Sequence, residues 1–226
     1  MNLNRNRIYL CLAHMSEAGY EQKYVKEAFD TNWVVPLGPN VNAFETDLKN
    51  FVGQGKEVVA LSAGTAAVHL ALIACGVGPG DEVCVQSFTF CASSHPITYL
   101  GATPVFIDSE KDTWNMDPEL LEKAIVDRIE KTGKKPKAIV PVALYGMPYN
   151  CDAIMAIAEK YDIPVIEDAA EGFGSRYDGK VLGTFGKYGV LSFNGNKMIT
   201  TSGGGALICP DREAWRSVMM YATQYR

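Results

Sequence analysis

The chain has 226 residues, 47% of them hydrophobic and 21% charged, with a formal net charge of −5 from 21 basic and 26 acidic side chains. This composition supports a substantial globular core, and the lack of a long basic run argues against nucleic acid and anionic membranes as partners. No segment reaches the roughly 18 apolar residues that span a bilayer, and the polar N-terminus lacks the apolar stretch of a secretory signal.

Six cysteines (Cys11, Cys75, Cys84, Cys91, Cys151 and Cys209) show neither a CxxC pair nor zinc spacing. They read as reduced, mostly buried thiols, with no metal site and a cytoplasmic setting expected.

In chain order, helical periodicity predicts helices over 20–29 and 41–52, followed by a strand over 58–62. The strand runs into Leu61-Ser62-Ala63-Gly64-Thr65-Ala66-Ala67, which opens a helix over 65–75. Small residues there let backbone N–H groups reach a phosphate, although a strand-to-helix turn needs small capping residues in any case. Gly76 and Gly78-Pro79-Gly80 stop that helix. A strand over 82–86 leads to Ser87-Phe88-Thr89-Phe90-Cys91, whose two aromatics read first as core and otherwise as a face for a flat ring.

A strand over 103–107 precedes Asp117-Pro118-Glu119, an N-cap with proline in the first turn, and a helix over 118–131. Next come a strand over 138–142, a helix over 151–161 and a strand over 164–167 that ends beside Asp168. A carboxylate at the carboxyl end of a strand lies where α/β sheets bind ligands, and it equally suits a helix N-cap. Lys180 and Lys187 read as solvated. Strands over 189–193 and 205–209 flank Ser192-Phe193-Asn194-Gly195-Asn196-Lys197 and can pair as an antiparallel hairpin; a helix over 212–225 closes the chain. Strands alternating with helices predict a mainly parallel sheet, buried on both faces.

Lys197 sits among hydroxyl-bearing and glycine residues that allow close approach of a ligand. An amine able to form a Schiff base and an acid able to pair with a pyridinium nitrogen are what pyridoxal phosphate requires of a protein. The order phosphate loop, aromatic, acid, lysine, each after a strand, closely resembles the DegT/DnrJ/EryC1/StrS family of nucleotide-sugar aminotransferases. Pro36-Leu37-Gly38-Pro39, 62–70, 87–92, 166–174, 182–186 and 192–205 carry the resemblance, which runs from about Ile8 to Arg226. Ser-Phe-Asn-Gly-Asn-Lys with Thr-Thr-Ser-Gly-Gly-Gly is most similar to the bacillosamine-pathway branch.

The resemblance implies the three-layer α/β large domain of an aspartate aminotransferase-like, fold-type I enzyme. It implies Lys197 as the Schiff-base lysine, Asp168 as partner of the pyridinium nitrogen and Phe90 as the stacking ring. Gly64, Thr65 and Ser192 would hold the phosphate, and Glu171 and Asn194 would lie near the ring or the sugar. Where many relatives carry histidine before Leu-Tyr-Gly, this chain has Ala143, so a contact made by that histidine is not expected.

The implied activity moves the amino group of glutamate to a UDP-4-keto-6-deoxy-N-acetylhexosamine in a homodimer. A sugar dehydratase of the same family would carry histidine in place of Lys197. An inactive cofactor-fold fragment is the other alternative, because relatives continue into a smaller C-terminal domain. The expected division is an N-terminal segment over 1–35, a core sheet over 36–210 and the start of a connection over 211–226.

Overall fold

The computed structural model describes residues 15–223. Helices α1 (Tyr20–Asp30) and α2 (Pro39–Val52) precede β1 (Glu57–Leu61) and α3 (Gly64–Ala74). β2 (Glu82–Gln86), a 3-10 turn (Cys91–Ser93), α4 (His95–Tyr99) and β3 (Thr103–Ile107) follow, then α5 (Pro118–Thr132) and β4 (Ala138–Val140). α6 (Cys151–Tyr161), β5 (Ile166–Asp168), the short β6 (Arg176–Tyr177) and β7 (Lys180–Val181), β8 (Tyr188–Ser192), β9 (Gly205–Cys209) and α7 (Arg212–Ala222) complete the described chain.

β1, β9, β8 and β5 form one run and β3, β2 and β4 another. Parallel bridges Ile139↔Val165 and Val142↔Asp168 join them. The whole sheet therefore reads β1-β9-β8-β5-β4-β2-β3, and β9 alone runs against its neighbours. The 189–193 and 205–209 strands do form the antiparallel pair, with Ser192 opposite Gly205.

Alternation along each strand builds the three layers, because successive side chains point to opposite faces. Val58, Cys84, Ile139, Val165, Leu191 and Ile208 pack with Leu48, Leu121, Ile125 and Ile154 from α2, α5 and α6. Val59, Val83, Val85, Ile166, Val190 and Leu207 pack with Val68, Leu72, Ile97 and Val218 from α3, α4 and α7. Burial on both faces fails at the edge strand β3, where Thr103 and Phe106 are exposed.

The helix ends follow their local chemistry. Asp117 Oδ1 accepts from the N–H groups of Glu119 (2.8 Å) and Leu120 (3.2 Å), as its position before Pro118 predicts. Gly76, at φ 73°, ends α3 with N–H bonds from Val77 to Leu72 and from Gly76 to Ile73. The β6–β7 hairpin, turning at Asp178-Gly179 with φ 45° and 75°, is absent from the predicted elements. Two consecutive positive φ angles are what Asp-Gly favours in such a turn. Lys180 departs from the solvated expectation: it is half-buried, with Nζ 4.4 Å from the centre of the Phe185 ring. Lys187 is exposed, as expected.

Candidate active site

β1, β2, β5 and β8 all end at one edge of the sheet, where an open cavity of about 560 Å³ lies. Gly64, Thr65, Phe90, Asp168, Glu171, Ser192, Asn194 and Lys197 all line it. Every site residue expected from the sequence is thus brought to one place, at the carboxyl ends of strands where α/β sheets bind ligands.

The start of α3 is open. Asp117, Asn150 and Asp211 cap α5, α6 and α7, whereas α3, like α1, α2 and α4, has no side-chain cap among the described residues. Its first N–H groups therefore need partners from outside the helix, and they carry the positive end of its dipole. Close packing fixes this loop. A Cβ on Gly64 would lie 3.0 Å from Ser192 Cβ, and one on Gly205 would lie 2.3 Å from the Ala63 carbonyl carbon. Glycine is required at 205 because β9 begins directly against the Ala63–Gly64 peptide.

Phe90 is 71% exposed and Phe88 45% exposed, which overturns their reading as core. β2 ends at Gln86, so neither ring is carried into a layer. Phe90 stands in the cavity wall, and Phe88 lies 5.9 Å from Trp114 between ring centres. The 3-10 turn is held by Ser93 N–H bonding to the Phe90 carbonyl at 3.1 Å.

Asp168 is the last residue of β5 and is buried. No helix follows, so the N-cap alternative falls. Its backbone N–H donates to Pro141 at 2.9 Å and its carbonyl accepts from Ala143 at 3.0 Å, which fixes the side chain's origin. Oδ2 accepts from Ser93 Oγ at 2.7 Å and Oδ1 from Ala170 N–H at 3.1 Å. Burial pushes its pKa up, while Ser93, Ala170 and the Lys197 charge pull it back down.

Lys197 lies in a loop closed at its base by Phe193, whose N–H donates to Gly204 and whose carbonyl accepts from Thr201, both at 2.9 Å. Phe193 is itself clamped edge-to-face by Phe44 and Phe173. The Lys197 amine reaches Glu171 Oε1 at 3.2 Å with its side chain only 13% exposed. Glu171 Oε2 also accepts from Tyr145 N–H at 2.7 Å. Tyr145 holds a left-handed backbone, φ 52°, at the rim. Thr89, Ser93 and Tyr145 were not singled out in the sequence. Ser93 falls one turn beyond Phe90, a spacing with no signature unless the turn is known.

The sheet order, the three layers and a lysine and a buried carboxylate lining one cavity define the large domain of a fold-type I enzyme. The chain belongs to the DegT/DnrJ/EryC1/StrS aminotransferase family, which it matches over residues 16–224.

Over 220 residues it is 51% identical to EpsN of Bacillus subtilis (strain 168), whose name places it among pyridoxal phosphate-dependent aminotransferases; the match covers 97% of this chain and 56% of that protein. It is 44% identical over 193 residues to the GDP-perosamine synthase of Caulobacter vibrioides, covering 85% of this chain and 50% of that protein. Spr1654 of Streptococcus pneumoniae, named as a sugar aminotransferase and solved in its PMP form, superimposes with a TM-score of 0.84 at 32% identity, covering 95% of this chain and 56% of that one. The same protein is also solved in a PLP form. Pyridoxal phosphate is the cofactor of this family. The chain spans about half the length of the curated relatives it matches.

Proposed function

We propose that the chain provides the cofactor-binding large domain of a pyridoxal phosphate-dependent aminotransferase, moving the amino group of glutamate to a keto-sugar nucleotide. The observation that carries this reading is that Lys197, Asp168, Phe90 and the uncapped start of α3 line one cavity. The residues present fit the group: open N–H donors, a glycine cradle, an exposed ring, a buried carboxylate and a shielded amine.

Thr65, Ser192 and the first N–H groups of α3 would hold the phosphate. Phe90 would offer its face to the ring, and Asp168 would hold the proton on the ring nitrogen. When bound, the cofactor would supply an electron sink for proton transfer at the amino-acid α-carbon. Lys197 acts as the nucleophile and then as the base that moves the α-proton. Glu171 keeps the amine paired and aimed until it reacts, and Asn194, which lines the cavity, would lie near the ring or the sugar. The site's lysine argues for amination over dehydration.

We further propose a UDP-linked 4-keto-6-deoxy-N-acetylhexosamine as acceptor, a homodimer as the working form, and residues 211–226 as the start of a connection to a smaller domain. Identity to a GDP-perosamine synthase supports a GDP-linked sugar as the second reading. Among the described residues no helix is long and apolar enough to cross a membrane, and no acidic, histidine or cysteine group forms a metal cluster.

The test has two parts. Incubation with pyridoxal phosphate is expected to give a visible absorbance band that Lys197→Ala abolishes; a band unchanged in Lys197→Ala refutes the assignment. Conversion of UDP-linked and GDP-linked 4-keto sugars with glutamate is then compared, and the faster acceptor identifies the nucleotide. Turnover of neither by a chain that gives the band refutes catalysis by this chain and favours the inactive-fragment reading.

A further inference from the structure

Asp168 has an unusual electrostatic position. It is buried, yet no cationic side chain among the described residues is hydrogen-bonded to it. The nearby amine of Lys197 bonds Glu171 instead. Two neutral donors face the Asp168 carboxylate, the Ala170 N–H at 3.1 Å and the Ser93 hydroxyl at 2.7 Å. A buried carboxylate depends heavily on such donors, because each lost bond leaves it with a desolvation cost that water cannot offset.

Ser93 is itself buried and lies 2.9 Å from the hydroxyl of Thr89. A serine has one hydroxyl hydrogen, and an ionised carboxylate can only accept. The Ser93 hydrogen is therefore committed to Asp168, and Thr89 must be the donor to Ser93. The result is a directed chain, Thr89 to Ser93 to Asp168, in which each hydroxyl polarises the next. The Ser93 N–H also bonds the Phe90 carbonyl at 3.1 Å, so one turn carries both the exposed ring and the hydroxyl that faces the carboxylate.

We propose that Ser93, backed by Thr89, is a positioning residue that keeps the Asp168 carboxylate charged and aimed at the cofactor's ring nitrogen, an inference that rests on the reading of Lys197 and Asp168 given above. The chain of hydroxyls acts through Asp168 and touches no reacting atom. It also ties the stacking ring and the nitrogen partner to the same short segment, so both are placed together.

The test uses Ser93→Ala and Thr89→Val beside the unchanged protein, each titrated with pyridoxal phosphate and then with pH while the visible band is followed. Losing a hydrogen bond to a charged group is expected to weaken cofactor affinity roughly tenfold or more in Ser93→Ala. The pH midpoint of the band is expected to rise, because a less firmly charged Asp168 leaves the ring nitrogen less protonated and the lysine-linked nitrogen more basic. Thr89→Val should move the midpoint in the same direction by less. A purely structural role for Ser93 would lower thermal stability and leave the midpoint in place. That result, with affinity within about twofold of the unchanged protein, overturns the inference. Should Ser93→Ala fail to fold, an unmoved midpoint in Thr89→Val overturns it equally. Absence of any band in the unchanged protein refutes the cofactor reading itself and is thereby distinguished from failure of the relay.

Discussion

Glu167 precedes Asp168 on β5 and points to the opposite face, where it is fully buried. Oε2 accepts from Phe185 N–H at 3.0 Å, and Oε1 has no hydrogen-bond partner among the described residues. Burial pushes its pKa from the ordinary 4.5 up to about 7, with backbone N–H groups of Gly183, Phe185 and Gly186 opposing the rise. A carboxyl whose pKa is higher folded than unfolded favours the folded state most when protonated. Its contribution is fully present below about 4.5 and is lost as pH rises through about 7. At 1.36 kcal/mol per pH unit, the gap between those two values corresponds to about 3 kcal/mol.

Glu167→Gln keeps an acceptor for Phe185 and removes the ionisation. The variant is expected to match the unchanged protein near pH 4.5 and to exceed it by about 3 kcal/mol at pH 8. For a chain of this length that corresponds to a Tm gain of about 6–12 °C. Urea unfolding at a series of pH values measures the difference directly. Other titrating groups, Asp168 included, cancel in the comparison. A difference between the two proteins that stays constant from pH 4.5 to pH 8 would refute the reasoning.

Three further outcomes are expected. Gly205→Ala drives a methyl into the Ala63–Gly64 peptide, so it should cost about 1–3 kcal/mol or more and also weaken cofactor binding; calorimetry with a cofactor titration checks both. Phe90→Ala should leave stability within about 0.5 kcal/mol, because the ring is exposed, and should still reduce cofactor affinity. A large loss of stability would restore the core reading. Asp117→Ala removes the cap of α5 and should cost about 1 kcal/mol in thermal unfolding with cofactor affinity unchanged.

Asp117, Gly76 and the Asp178-Gly179 turn show how local chemistry is legible without the fold. Each requirement, a side-chain acceptor or a positive φ, is met within a few residues. The Asp178-Gly179 turn carries an equally local signal, but its strands, Arg176–Tyr177 and Lys180–Val181, are only two residues each, too short to show a strand period. Phe88 and Phe90 show the opposite. Their alternation is the same whether a strand continues or ends, and only the stop at Gln86 leaves them exposed.

The sequence by itself determined the alternation of strands and helices, the antiparallel pair around the lysine loop and the residue types at the site, because these depend on periodicity and on neighbours in the chain. Only the tertiary structure decided that Asp168 is held by Ser93, 75 positions away, and that Lys197 meets Glu171, 26 positions away. It also decided that Gly205 must be glycine. Those facts depend on which strand ends lie side by side, and the physical reason is that burial, desolvation and close approach are properties of the assembled sheet edge.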